Sequence, residues 1–153
     1  MKRPGRFVTI FLATGAYSGY APVMPGTFGT LAAIPVFVVF SFLDLAAYFA
    51  ATAIFILASI WISHRAALIF RKKDPGEIVI DEVAGFLVTM TAIPLDWRWL
   101  LAGFVLFRIF DILKPWPACW ADRQLQGGLG IVMDDVFAGI YANLVLQLAM
   151  WYF

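Results

Sequence analysis

Two short stretches carry charges that an otherwise apolar chain has little reason to hold. Ile78 to Gly85 reads IVIDEVAG and sets Asp81 and Glu82 side by side between apolar runs. Ile131 to Gly139 reads IVMDDVFAG and repeats the arrangement with Asp134 and Asp135. Glycine leads into each (Gly76; Gly127, Gly128 and Gly130), and small apolar residues follow. Between them lies Arg108-Ile-Phe-Asp-Ile-Leu-Lys114, where Arg108, Asp111 and Lys114 are three apart and would share one helix face. Neighbouring carboxylates at 4 Å repel by ~1 kcal/mol in water and ~4 kcal/mol near a protein surface. Five of them beside apolar surface therefore need neutralising. A hard divalent cation does this most simply, and magnesium suits an oxygen-only ligand set that keeps waters and accepts phosphate.

A cation held by carboxylates beside Arg108 and Lys114 describes phosphoryl chemistry. The metal polarises the phosphoryl oxygen and generates hydroxide, while the basic groups take up charge on the equatorial oxygens. The blander roles of Arg108 and Lys114 are snorkelling to a headgroup layer and pairing with Asp111. The segment PGTFGT, with Thr27 and Gly29, can present backbone amides to phosphate, a weak signal by itself. His64 is the only histidine and reads as an interfacial residue. Other phosphatase chemistries lack their residues: Cys119 is followed by Arg123 at the wrong loop length, no histidine pair exists, and Asp134-Asp135-Val136 lacks spaced aspartates. Metal-activated water remains.

The elements that must position these groups are those of a membrane protein. Of 153 residues, 63% are hydrophobic and 14% charged, against about 45–50% and about 25% in soluble domains. No charge falls between Arg6 and Asp44 or between Asp44 and Arg65. The fold class expected is all-α, one domain over 1–153, an integral membrane bundle of four or five spans. Phe7 to Tyr17 is too short for the ~20 residues that cross a bilayer and reads as an interfacial or re-entrant helix. Its basic, then apolar, start resembles a signal peptide without a clean cleavage site, so it is read as retained.

Gly19 to Thr30 reads as a loop, and Thr27 to Leu43 and Leu45 to Ser63 as a helical hairpin hinged at Asp44, with Pro35 able to kink the first arm. Val83 to Leu95 and Trp99 to Phe107 are shorter runs that either cross or dip in and return. Pro115 and Pro117 end the second. A polar loop with Arg123 leads to a last span, Val136 to Phe153, in which Asn143 and Gln147 read as interhelical hydrogen-bond partners. With these spans, ten of the eleven Lys and Arg residues fall on one side and only Arg98 on the other. The positive-inside rule makes the crowded side cytoplasmic, and all five acids lie on it. A net charge of +1 leaves no nucleic-acid footprint, and one cysteine excludes an internal disulfide and a cysteine zinc site.

The blocks PGTFGTLAAIP, IVIDEVAGF, FRIFDILKPWPACWADR and GGLGIVMDDVFAGI, in this order and spacing, resemble the bacterial phosphatidylglycerophosphatase A family from about Ala13 to Leu146. The resemblance implies a magnesium-dependent inner-membrane lipid phosphatase that hydrolyses phosphatidylglycerophosphate to phosphatidylglycerol and phosphate. Carried over, the functional acids are Asp81, Glu82, Asp111, Asp134 and Asp135. Asp81, Asp111, Asp134 and Asp135 are expected to hold Mg²⁺, and Glu82 is a further ligand or the base for the attacking water. Arg108 and Lys114 are expected to bind phosphate. Glu77 is an extra acid without an assigned role. One or two ions remain open; two would sit ~3.5–4 Å apart. The rivals are a cation-coupled transporter, with the echoing acidic segments as an internal repeat, and a CDP-alcohol phosphotransferase, whose Asp–Gly–Ala–Arg signature is absent. Lipid selectivity and oligomeric state are not legible.

Overall fold

The computed structural model describes residues 3–152, so Lys2 of the basic N-terminus and Phe153 of the last span lie outside the described residues. Within them the chain is all-helical: α1 Arg3–Ala13, α2 Pro25–Phe40, α3 Leu45–Phe70, α4 Ile80–Thr89, α5 Trp97–Leu113, α6 Ala118–Gln124 and α7 Gly128–Tyr152. Local chemistry sets the boundaries. Asp44 separates α2 from α3 and caps α3 by accepting from Ala47 N at 2.9 Å. Asp96 caps α5 in the same way through Arg98 N at 2.8 Å. Left-handed Arg71 and Lys114 end α3 and α5.

Several boundaries differ from those read in the sequence, each for a local reason. The stretch Pro25 to Thr30, read as loop, is the first turns of α2. Proline at the first helical position has the right φ and no donor to lose, so it starts the helix instead of excluding it. The first helix ends at Ala13, not Tyr17, because Gly15, Ala16 and Tyr17 all take positive φ. The polar loop around Arg123 contains α6. The last helix begins at Gly128, which places Asp134 and Asp135 in its second turn instead of ahead of it.

At the centre runs α4, buried along almost its whole length and packed mainly on α7, with α2, α3 and α5 around it. The α4–α7 crossing is made close by two glycines. A methyl on Gly139 would strike the Gly85 carbonyl, and one on Gly85 would lie 2.6 Å from the Asp135 carbonyl. Ten residues of α4 reach only about 15 Å. The chain continues as irregular backbone through Met90 to Asp96, and neighbouring side chains satisfy it. Asn143 Nδ2 donates to the carbonyls of Thr89 and Thr91, both at 2.8 Å, and Gln147 Nε2 donates to Thr91 O. Tyr48 Oη donates to Leu87 O at 2.7 Å. The two amides, expected to join helices, thus support an unwound segment by satisfying carbonyls that no helical turn serves.

Around α4 the core is aromatic, with Phe86 edge-on to both Phe37 and Phe107. The outside is apolar too. In α3 only 22% of the most hydrophobic window is buried, and Ile54, Leu57, Trp61 and Leu68 face outward. Among the described residues, two helices, α3 and α7, are long and apolar enough to cross a membrane.

Candidate active site

Five chain segments converge on one cavity of about 350 Å³, and all five sequence-identified acids line it. Asp81 and Glu82 come from the first turn of α4, where Val79 N donates to Ala13 O and ties that turn to the end of α1. Asp111 comes from the last turn of α5. Asp134 and Asp135 come from α7, brought alongside α4 by the Gly85–Gly139 crossing. The start of α2 closes the cavity through Met24, Pro25 and Gly26.

The five carboxylates are not equivalent. Arg108 Nη1 donates to Asp111 Oδ2, one helical turn away. Lys114 Nζ donates to Asp134 Oδ2 at 2.6 Å and lies 3.4 Å from Asp122 Oδ1. The left-handed turn at Lys114 carries it off the helical face it was expected to share with Arg108, towards α6 and α7. Among the described residues, Asp81, Glu82 and Asp135 form no ion pair. One carboxylate oxygen from each can be chosen so that all three lie within 4.8 Å of one another. Asp81 Oδ1, Glu82 Oε2 and Asp134 Oδ1 are buried without a hydrogen-bond partner.

Buried, unpartnered carboxylate oxygens cost free energy. Burial first, then the Glu82 charge, pushes Asp81 well above the usual carboxylate range. Burial also lifts Glu82, at the mouth ahead of the 83–95 segment, to about 7, against the hydrogen bond from Asp81 and with help from the Asp111 charge. Burial works against the Lys114 ammonium, but the Asp134 carboxylate outweighs it and raises this pKa above the ordinary lysine range. An all-oxygen donor set with orphaned buried oxygens fits a hard divalent ion, and the residues present fit magnesium.

Gly26 and Gly29 shape the site differently. A methyl on Gly26 would strike Glu82 Oε1 and lie 2.9 Å from Arg108 Nη1. Gly29 does not line the cavity; its bare face accepts Val79, with Glu82 Oε2 at 3.3 Å from the missing methyl. Thr27 Oγ1 is buried without a partner, while its amide donates to Met24 O at 2.9 Å. Sequence reasoning passed over Asp74, which lines the cavity, and Asp122, which shares Lys114. Asp74 stands in Asp-Pro-Gly and reads as turn chemistry; Asp122 lies inside the third of the resembling blocks and was a legible signal. Glu77 pairs with Lys72 at 3.0 Å and does not line the cavity.

The sequence profile described as Phosphatidylglycerophosphatase A matches residues 11–150. An Escherichia coli protein named phosphatidylglycerophosphatase A is 43% identical over 136 residues, 88% of this chain and 79% of that protein. The Haemophilus influenzae protein of the same name is 41% identical over 137 residues, covering 88% and 84%. A Bacteroides thetaiotaomicron protein provisionally named phosphatidylinositol-3-phosphatase is 36% identical over 159 aligned positions, covering 99% and 98%. No solved structure matches the chain. With the match extending across every element that builds the acid-lined cavity, the chain belongs to the phosphatidylglycerophosphatase A family.

Proposed function

We propose that the chain hydrolyses the terminal phosphomonoester of phosphatidylglycerophosphate, releasing phosphatidylglycerol and phosphate in a magnesium-dependent reaction. The observation that carries this reading is the cluster of Asp81, Glu82 and Asp135, without an ion pair among the described residues and with orphaned buried oxygens on Asp81 and Glu82, beside Arg108 and Lys114. These three carboxylates would hold the ion, with Asp134 and Asp111 next to them, each already tied by one oxygen to a basic side chain. Bound there, magnesium supplies Lewis-acid polarisation of the phosphoryl group and of the attacking water. Arg108 and Lys114 orient the substrate phosphate and take up charge on its equatorial oxygens. Glu82 gives one oxygen to the cluster, and the other accepts the proton of the attacking water. Phosphorus gains the water oxygen, its bond to the glycerol oxygen breaks, and the proton taken by Glu82 passes through cavity water to the departing alcohol, which restores the carboxylate.

The same reading makes the protein a multi-pass component of the bacterial inner membrane, with α2, α3, the 83–95 segment, α5 and α7 as five crossings. Support comes from charge placement. Arg71, Lys72, Lys73 and Arg123 line cavities at the acid-bearing end with Arg108 and Lys114. Beyond the other end of α4, the cavity between the 41–45 and 90–95 turns has no charged lining. The acid-bearing end is then cytoplasmic.

Phosphate release from phosphatidylglycerophosphate, with and without EDTA, tests the reading. EDTA should abolish turnover and added Mg²⁺ restore it. Asp→Asn at 81, 111, 134 or 135 should each lower the rate at least about a hundredfold in a folded protein, the scale of losing one electrostatic stabiliser. Full activity in EDTA, or near-normal turnover in two of the four variants, would overturn the metal site. Preference for phosphatidylinositol 3-phosphate would overturn the substrate.

A further inference from the structure

A second cavity, about 610 Å³, opens at the end of α3 on residues none of which lines the acid cavity. Its walls are His64, Leu68, Arg71, Lys73 and Arg123, with Lys72 drawn aside to Glu77. Among the described residues, Arg71 and Arg123 form no ion pair, and both are exposed. Leu57, Trp61, His64 and Leu68 follow a spacing of four, three and four, so they share one face of α3. That face is open: Leu57, Trp61 and Leu68 are 68%, 58% and 66% exposed. An apolar stripe as long as an acyl chain therefore ends in a basic hollow. Basic residues alone at a membrane boundary would be ordinary snorkelling. Their convergence on a cavity at the head of an apolar stripe is not.

We propose that this hollow is a second lipid site, which takes the phosphodiester headgroup of an anionic glycerophospholipid while its acyl chains lie along the Leu57–Trp61–Leu68 face. The inference rests on the membrane reading above but not on the hydrolytic one. The guanidinium groups of Arg71 and Arg123 supply paired donors to the phosphodiester oxygens, a geometry that suits arginine. A zwitterionic lipid gains less, because its own ammonium or choline opposes the basic wall. A smaller cavity, about 210 Å³, adjoins both sites: it shares Lys73, Arg123 and Gly127 with the hollow and Asp74 and Ile131 with the acid cavity. A resident anionic lipid would thus lie close to the reaction without occupying it.

Lipid retention by the full-length protein tests this. The protein in detergent is incubated with equimolar dioleoyl phosphatidylglycerol and dioleoyl phosphatidylcholine, and bound lipid is read by native mass spectrometry. Wild type should retain phosphatidylglycerol preferentially. Arg71→Gln with Arg123→Gln should reduce that preference about thirtyfold, as expected for two basic groups beside an anionic headgroup. Arg71→Lys with Arg123→Lys should keep more of it than the glutamine pair, because the charge stays while the paired donors are lost, which separates charge loss from misfolding. Arg108→Gln should leave retention unchanged. If Arg108→Gln abolishes retention and the Arg71/Arg123 pair does not, the lipid sits in the acid cavity and the proposal fails. If millimolar inorganic phosphate displaces the lipid through the same arginines, the hollow is a free-phosphate site and the lipid assignment fails. Phosphate release from phosphatidylglycerophosphate is measured on the same samples. Its absence in wild type would remove the hydrolytic reading while leaving the retention result intact.

Discussion

Asp81, Glu82 and Asp135 are held together by the fold against the repulsion of their charges. In the metal-free protein their charges oppose folding, and pH should expose this. Glu82 titrates near 7 in the folded chain and in the ordinary carboxyl range, near 4.5, when unfolded. Between those values the folded state binds more protons, so stability falls as pH rises. The stabilisation is fully present below about 4.5 and lost by the time pH passes 7. In EDTA the unfolding temperature should therefore drop from pH 5 to pH 7.5, and Glu82→Gln, which cannot ionise, should flatten the drop. Saturating Mg²⁺ should flatten it in wild type as well. An unchanged slope in Glu82→Gln would mean this carboxylate is not among those the fold strains. The acids themselves were legible because a charge inside an apolar run has few innocent explanations. Their partners were not. Lys114 leaves the Arg108 face only because residue 114 adopts a left-handed turn, which spacing by threes does not reveal.

Among the elements, the start of α2 is the least expected and the most confining. Two prolines and three glycines among residues 19–30 argue for loop when counted as composition. Position decides otherwise, because Pro25 stands where a helix loses nothing by starting with proline. Gly26 then lets the first turn of α2 close over Glu82 and Arg108. Adding a methyl there pushes against the ends of two flexible side chains, which can yield without unfolding the bundle. Gly26→Ala should accordingly keep its unfolding temperature within a few degrees and still lose about ten- to a hundredfold in kcat/KM, the cost of roughly 1 Å of misplacement. Wild-type kinetics in this variant would remove Gly26 from the site. The early end of α4 was also hidden from the sequence. Residues 83–95 are apolar enough to continue as helix, and the unwound part persists because Asn143, Gln147 and Tyr48 reach it from α7 and α3. Such long-range hydrogen bonds leave no local signal, although the helical hairpin at Asp44 did.

For the whole molecule, the consequential property under the proposed membrane reading is which end faces the cytoplasm, and the chain carries one cysteine with which to measure it. Cys119 lies in α6, half-buried, and α6 is fixed to the acid-bearing end because Asp122 meets Lys114 and the helix packs on α7. If the basic residues at that end are cytoplasmic, a membrane-impermeant maleimide should miss Cys119 in intact spheroplasts and label it in inverted vesicles. Partial burial can slow the thiol on either side, so the exposed Gln124 provides the control as Gln124→Cys in a Cys119→Ser background. Both probes should label only from the cytoplasmic side. The same preparations test the other end, where Arg98 stands beside the Asp96 cap: Trp97→Cys in Cys119→Ser should label only from outside. Labelling of Gln124→Cys in intact spheroplasts would turn the acid cavity outward. The positive-inside orientation would then be wrong, and a lipid phosphate presented at the cytoplasmic leaflet could not reach Asp81, Glu82 and Asp135. Labelling of both Trp97→Cys and Gln124→Cys from the cytoplasmic side would instead keep the cavity cytoplasmic and make the 83–113 pair a re-entrant turn, leaving α2, α3 and α7 as the crossings.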